Sequence, residues 1–143
     1  MGKKYRYKNW KKRNKVAVSG YFLWLHIGHI EYFRQASKLG RVIAIVNNDT
    51  QQILKYGKII VPLEERLKVI QSIRYVDKAI PSIDKDRTVC KTLEMLKPDI
   101  FANGGDRDNK NVPEKDICDK CLIKMVYGLG DKVQSTSWLF KKI

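Results

Sequence analysis

Short apolar runs alternate with longer stretches of helical period along this chain. Val16 to Ser19, Val42 to Val46, Val76 to Ile80, Ile100 to Asn103 and Ile123 to Val126 read as short strands, and Val42 to Val46 is almost continuously apolar and β-branched. A nearly continuous run of that kind marks a strand covered on both faces. Between the runs the period changes. Ile30, Phe33, Ala36 and Leu39 fall on one side of a helix expected from Gly28 to Leu39, with Gly40 closing it. Asn47 to Thr50 reads as a loop and helix start, Gln51 to Tyr56 as a short helix, and Lys55 to Lys58 as a basic turn. Pro62 opens the next helix, which runs to about Ile73 with Glu64 and Glu65 in its first turn, where negative charge suits the dipole. Pro81 ends the third strand, and a helix is expected from Arg87 to Leu96. Pro113 and Glu114 start another helix, Gly128, Gly130 and Asp131 mark a turn, and Ser135, Thr136 and Ser137 cap a last helix. Strand and helix repeated about five times predict a Rossmann-like α/β three-layer sandwich around a five-stranded parallel sheet. In such sheets ligands bind beyond the carboxyl ends of the strands.

Length and charge refine this picture. The 143 residues suffice for one domain with a real core. The formal charge of +14 points to anionic partners. Eight of the basic residues lie within the first fifteen positions, which leaves about +6 for the rest. Residues 1–14 therefore read as a flexible basic arm and 15–143 as the domain. Tyr5, Tyr7 and Trp10 in that arm offer faces for stacking on bases, although a solvated extension is the commoner use of such a tail. The apolar stretch from Val16 to Ile27 follows the arm as a signal sequence would. It is broken at Ser19 and Gly20, has no small-residue cleavage site and is too short to span a bilayer, so a membrane span is not expected. Three cysteines, Cys90, Cys118 and Cys121, suggest a reducing, cytoplasmic setting. Cys118 and Cys121 have C-x-x-C spacing, but a second ligand pair for a metal is missing.

The chemistry gathers after the first strand. The chain's two histidines, His26 and His29, flank Ile27 and Gly28 at the start of a helix. Glycine lets a ligand approach the backbone, and a helix N-terminus supplies free amides and a positive dipole end. Imidazoles there can donate to phosphate oxygens and stabilise transition-state charge. As metal ligands the pair alone is a thin set.

The segment Gly20-Tyr21-Phe22-Leu23-Trp24-Leu25-His26-Ile27-Gly28-His29 resembles the signature of the cytidylyltransferase-like nucleotidylyltransferases, a family that includes glycerol-3-phosphate cytidylyltransferase, the heptose-phosphate adenylyltransferase domain and archaeal FAD synthetase. The resemblance extends from about Val16 to Leu139. It implies that His26 and His29 contact a triphosphate, with Gly20, Tyr21, Phe22 and Gly28 forming the nucleotide site around them. It turns Lys55 and Lys58, otherwise solvated surface lysines, into phosphate-holding groups. It makes Asp49, otherwise a helix cap, part of an acceptor pocket. Arg66, otherwise a helical ion-pair partner, becomes a phosphate neighbour. Gly104-Gly105-Asp106 is similar to a loop beside the nucleotide, where Asp106 accepts from ribose hydroxyls; the alternative is a glycine turn with a capping Asp. Lys132 with Ser135, Thr136 and Ser137 resembles a second signature that holds the leaving phosphates. One position departs from the pattern: Leu23 stands where an Asp is usual. Gly128-Leu129-Gly130 lacks the third glycine of a dinucleotide fingerprint, since Val133 stands there.

The resulting expectation is a nucleotidylyltransferase that moves a nucleoside monophosphate from CTP or ATP to a small phosphorylated polyol or sugar, with Mg²⁺ bridging the triphosphate oxygens and a homodimer by resemblance. A nucleotide-binding relative impaired in catalysis, motivated by Leu23, is the second reading. A nucleic-acid-binding module built on the basic arm is the third.

Overall fold

A computed structural model describes residues 13–105 and 112–130. The elements follow in the order β1 (Lys15–Gly20), α1 (Ile27–Leu39), β2 (Arg41–Val46), α2 (Asp49–Tyr56), α3 (Leu63–Gln71), β3 (Lys78–Pro81), α4 (Cys90–Leu96), β4 (Ile100–Gly104), α5 (Lys115–Lys120) and β5 (Lys124–Leu129). All neighbouring strands pair in parallel, in the order β3-β2-β1-β4-β5. The chain crosses from the β3 edge back to β4, next to β1. A crevice at the carboxyl ends of β1 and β4 follows from that reversal. The Rossmann-like α/β sandwich with a five-stranded parallel sheet is the observed fold.

Alternation along the strands divides the core in two. Val16, Val18, Val42, Val46 and Ala102 face α1 and α3 and bury Phe33, Ala36 and Ile70 with them. Ala17, Ile45 and Phe101 face the other layer, against Val89 and Leu93 and against Cys118 of α5. Each fully buried Phe or Leu in these layers contributes roughly 1.5–3 kcal/mol relative to exposure.

Several boundaries move, each for a physical reason. The third strand begins at Lys78 and includes Pro81. It pairs with β2 alone, and an edge strand tolerates a residue without an N–H. The fourth helix starts at Cys90, not Arg87. A loop carboxylate, Asp84, caps it from outside by accepting from Lys91 N at 2.7 Å and Thr92 N at 3.0 Å. β5 extends to Leu129 and takes in Gly128, whose φ of +77° accompanies a register break opposite Ala102 and Gly104. At the amino end, Asn14 O accepts from Arg41 N at 2.7 Å, so Asn14 belongs to the packed fold. The helix expected at Ser135 lies outside the described residues.

Candidate functional site

The first strand ends in a backbone knot that builds the site. Phe22 has φ of +53°, rare for a bulky residue. Its ring folds back over Gly20, where a Cβ would lie 2.8 Å from two ring carbons, so residue 20 is glycine of necessity. The ring packs at 5.3 Å from Phe33 and edge-on to His29 at 6.0 Å. Burial of Phe22 offsets the backbone strain, which costs about 1 kcal/mol.

The knot delivers the chain to α1 through a cap made by both histidines. His26 Nδ1 accepts from Gly28 N at 3.0 Å, and His29 Nδ1 accepts from His26 N at 3.2 Å. Each neutral ring, bonded in this way, carries its proton on Nε2. The rings lie 4.2 Å apart. Burial, and secondarily the charge His26 would carry, lower the His29 pKa to about 4. At neutral pH His29 is an uncharged donor at the positive end of α1, whose first turn holds no acid. Beside it, Tyr32 donates to Ala102 O at 2.5 Å and ties α1 to β4.

A cavity of about 530 Å³ opens at this point, well within the range of small-molecule sites. Ser19, Gly20, Tyr21, Phe22, Leu23 and Trp24 form one wall, and His29 reaches it from α1. Lys55 and Tyr56 enter from α2, Asn47 from the end of β2, and Arg87 and Val89 from the segment before α4. Lys55 Nζ stands 4.5 Å above the Tyr21 ring, and Tyr56 meets that ring edge-on at 5.6 Å. Glu114 also lines the cavity; it is buried and accepts from Val89 N at 3.0 Å.

The other expected residues take different posts. Arg66 does not line the cavity. It is 1% exposed and donates to Val61 O at 2.8 Å, Tyr21 O at 2.9 Å, Asn47 O at 2.6 Å and Asp49 Oδ1 at 2.9 Å. The guanidinium is a strut beneath the ends of β1 and β2, with its fork turned inward. Asp49 is its partner and also accepts from Leu63 N at 3.0 Å, so its carboxylate joins α2 to α3. Lys58 is exposed on the turn after α2, away from the cavity lining. Gly105 sits at the carboxyl end of β4 with φ of +55°. Asp106, Lys132, Ser135, Thr136 and Ser137 lie outside the described residues. The chain reaches that C-terminal stretch through Gly130, which is packed against α1. A Cβ there would stand 2.8 Å from Gly28 O and 2.9 Å from Tyr32 N.

Sequence reasoning missed Arg87, Asn47, Tyr56 and Glu114 as cavity residues, and it missed Gln51, which organises the wall from behind. Asn103 at the end of β4 is likewise new: it is 1% exposed and its Oδ1 has no hydrogen-bond partner among the described residues. Only its place in a run that ends in Gly-Gly-Asp signalled it. Among the described residues no group of three His, Cys, Asp or Glu side chains is disposed to hold a metal ion. Leu23 fills the place beside the cavity where the resemblance led us to expect a carboxylate. Cys118 is buried, its thiol pushed up to about 12 by that burial, and Cys121 is partly exposed. No helix among the described residues is long and apolar enough to cross a membrane.

Comparison with known proteins converges on one family. The family model described as cytidylyltransferase-like matches residues 17–126. The FAD synthase of Pyrococcus abyssi is 33% identical over 99 residues, which cover 68% of this chain and 66% of that protein. The bifunctional protein HldE of Hahella chejuensis is 34% identical over 127 residues, 87% of this chain and 24% of that protein. A solved structure described as a lipopolysaccharide core biosynthesis protein from Thermoplasma volcanium superposes with a TM-score of 0.66 at 31% identity, covering 80% of this chain and 94% of that one. The matches span just under two thirds of the length of the FAD synthases, 60% to 66% in the first three.

Proposed function

From the premise that this chain belongs to the cytidylyltransferase-like family, we propose that it transfers a nucleoside monophosphate from CTP or ATP to a phosphorylated small molecule. A phosphate oxygen of the acceptor forms a bond to the α-phosphorus. The bond from that phosphorus to the α–β bridging oxygen breaks, and the electron pair leaves with pyrophosphate. No protein nucleophile takes part, so catalysis consists of positioning and charge stabilisation.

The observation that carries this reading is the reciprocal cap at α1. With both Nδ1 atoms bound to the backbone, His26 and His29 keep Nε2–H groups for phosphate oxygens beside the free amides of the helix. A neutral His29 donates without needing a charge that its burial disfavours. Lys55 neutralises charge from the cavity wall. Gly20, Tyr21, Phe22 and Gly28 shape the backbone around the nucleotide. By resemblance, Gly105 and Asp106 lie beside the ribose, and Lys132, Ser135, Thr136 and Ser137 hold the departing phosphates. The packing of Gly130 on Gly28 supports that assignment, because the chain leaves β5 against the histidine cap. A divalent cation such as Mg²⁺ would neutralise triphosphate charge; it would be held by the substrate's own oxygens, and no step here depends on it.

The acceptor is set apart from the rest of the reading. Relatives named for FAD synthesis and for lipopolysaccharide core biosynthesis resemble this chain to similar degrees, so the acceptor must be found by screening. A panel of polyol, sugar and flavin phosphates against four triphosphates, read by pyrophosphate release, identifies the pair. With that pair, His29→Ala is expected to lower kcat by about a hundredfold or more, the scale of losing one preorganised donor. Turnover within a few-fold of the parent would remove His29 from the mechanism.

A further inference from the structure

Arg87 is a cavity cation that neither the sequence pattern nor the resemblance assigned. It lies on the segment between β3 and α4 and reaches the cavity from the α4 side, whereas His29 reaches it from α1. Its side chain is exposed and has no ion-pair partner among the described residues. The nearby acids are engaged elsewhere. Asp86 accepts from Thr88 N at 2.9 Å and Thr88 Oγ1 at 2.7 Å, and Glu114 accepts from Val89 N. Within the cavity the guanidinium lies near the Tyr21 hydroxyl, where its charge works against the upward shift that burial gives the phenol.

The backbone that presents Arg87 is clamped on both sides. Gln51, fully buried on α2, donates from Nε2 to Asp86 O and to Thr88 O, both at 2.7 Å. These are the carbonyls on either side of residue 87. The Gln51 Oε1 is fixed in turn by Asn47 Nδ2 at 3.0 Å, Asn48 N at 3.0 Å and the Ser82 hydroxyl. A buried amide that spends both N–H groups on one loop, with its oxygen fixed by other segments, holds that loop to a single geometry. The side chain it presents is a rigid fork suited to a phosphate monoester.

We propose that Arg87 anchors the phosphate of the acceptor substrate, and that Gln51 is the positioning residue that sets it. This rests on the transferase reading above and adds a substrate subsite to it. An in-line reaction needs the acceptor phosphate on the face of the α-phosphorus opposite the leaving pyrophosphate. A cation that lines the same cavity from a different element than the histidine cap serves that approach.

The test uses the full chain saturated with an α,β-methylene triphosphate analogue and titrated calorimetrically with inorganic phosphate. The parent binds phosphate. Arg87→Ala weakens that binding by at least about tenfold, and Arg87→Lys, which keeps the charge without the fork, falls between. Analogue affinity stays within about twofold in both, since the triphosphate is held at α1. Gln51→Glu, checked for folding by thermal melting, weakens phosphate binding and spares the analogue. No measurable phosphate binding by the parent, unchanged phosphate affinity in Arg87→Ala, or equal loss of phosphate and analogue would each overturn the assignment. The outcomes separate the two readings. Arg87-dependent phosphate binding without transfer to any acceptor keeps the subsite and sinks the transferase. Transfer with Arg87-independent acceptor KM does the reverse.

Discussion

Arg66→Met distinguishes a structural arginine from a phosphate-binding one. The substitution keeps an unbranched chain of similar length and removes the guanidinium. Four bonds disappear, to Val61 O, Tyr21 O, Asn47 O and Asp49 Oδ1. Val61 O keeps Gln52 Nε2 at 2.9 Å, and Asp49 keeps Leu63 N, so those acceptors are not stranded. Tyr21 O and Asn47 O lose a charged donor in the interior, at about 1–3 kcal/mol each. Breaking a buried ion pair from one side costs about 3–5 kcal/mol in total, and new apolar contact returns roughly 1 kcal/mol. The net expectation is a loss of about 3 kcal/mol of stability, seen in urea unfolding followed by circular dichroism. For a chain of this size that is a fall in Tm of roughly 10 °C. Binding of the triphosphate analogue, measured well below the lowered midpoint, weakens less than tenfold. A loss of stability under about 1 kcal/mol with collapse of nucleotide binding would refute the strut and return Arg66 to the phosphates.

Two further outcomes follow from the same geometry. The His29 pKa lies near 4 in the folded chain against 6.5 when exposed, so the unfolded state takes up the proton first as pH falls. The stability contributed by neutral His29 is therefore complete above about pH 6.5 and is lost between there and pH 4, with a ceiling of about 3 kcal/mol that partial solvent contact reduces. Urea midpoints across that range should fall less steeply in His29→Asn, and parallel slopes would contradict the assignment. Gly130→Ala places a methyl against Gly28 O and Tyr32 N at a φ of +66°. It is expected to cost about 1–3 kcal/mol and to lower turnover through displacement of the chain at α1; unchanged stability and activity would show that Gly130 is not held there.

The parts of the fold that were legible depend on local chemistry. The strands β1, β2 and β4 are apolar on both faces, and the sequence carries that pattern without interruption. The start of α1 was legible because two histidines and a glycine sit at its mouth. The start of α4 was not, because its cap is the Asp84 carboxylate, brought from six residues before Cys90 by the turn of the loop. Gln51 is a polar residue at a fully buried position, and only the β3–α4 loop packed against it explains why. Arg66 shows the same limit in reverse. Its acidic neighbours suggested an ordinary helical ion pair, whereas its partners come from three separate segments. Residues whose role is set by contacts distant in sequence carry no local pattern.

Leu23 joins these observations. It lies in the wall of the main cavity and also in a neighbouring apolar groove with Trp24, Leu25, Val61 and Val69. A carboxylate at residue 23 would place a negative charge on a wall that also carries Lys55 and Arg87. Leucine adds no negative charge beside them, so Glu114 is the one carboxylate among the lining side chains described. A triphosphate and an acceptor phosphate together bring several negative charges into one cavity of about 530 Å³. Charge repulsion among them is a main barrier to association, and low dielectric raises it further. Removing a protein carboxylate reduces the repulsion directly, where a carboxylate would otherwise serve to fix a cation. On the proposed reading, the departure at Leu23 and the guanidinium of Arg87 act in the same direction: both leave charge neutralisation to cationic side chains of the cavity wall.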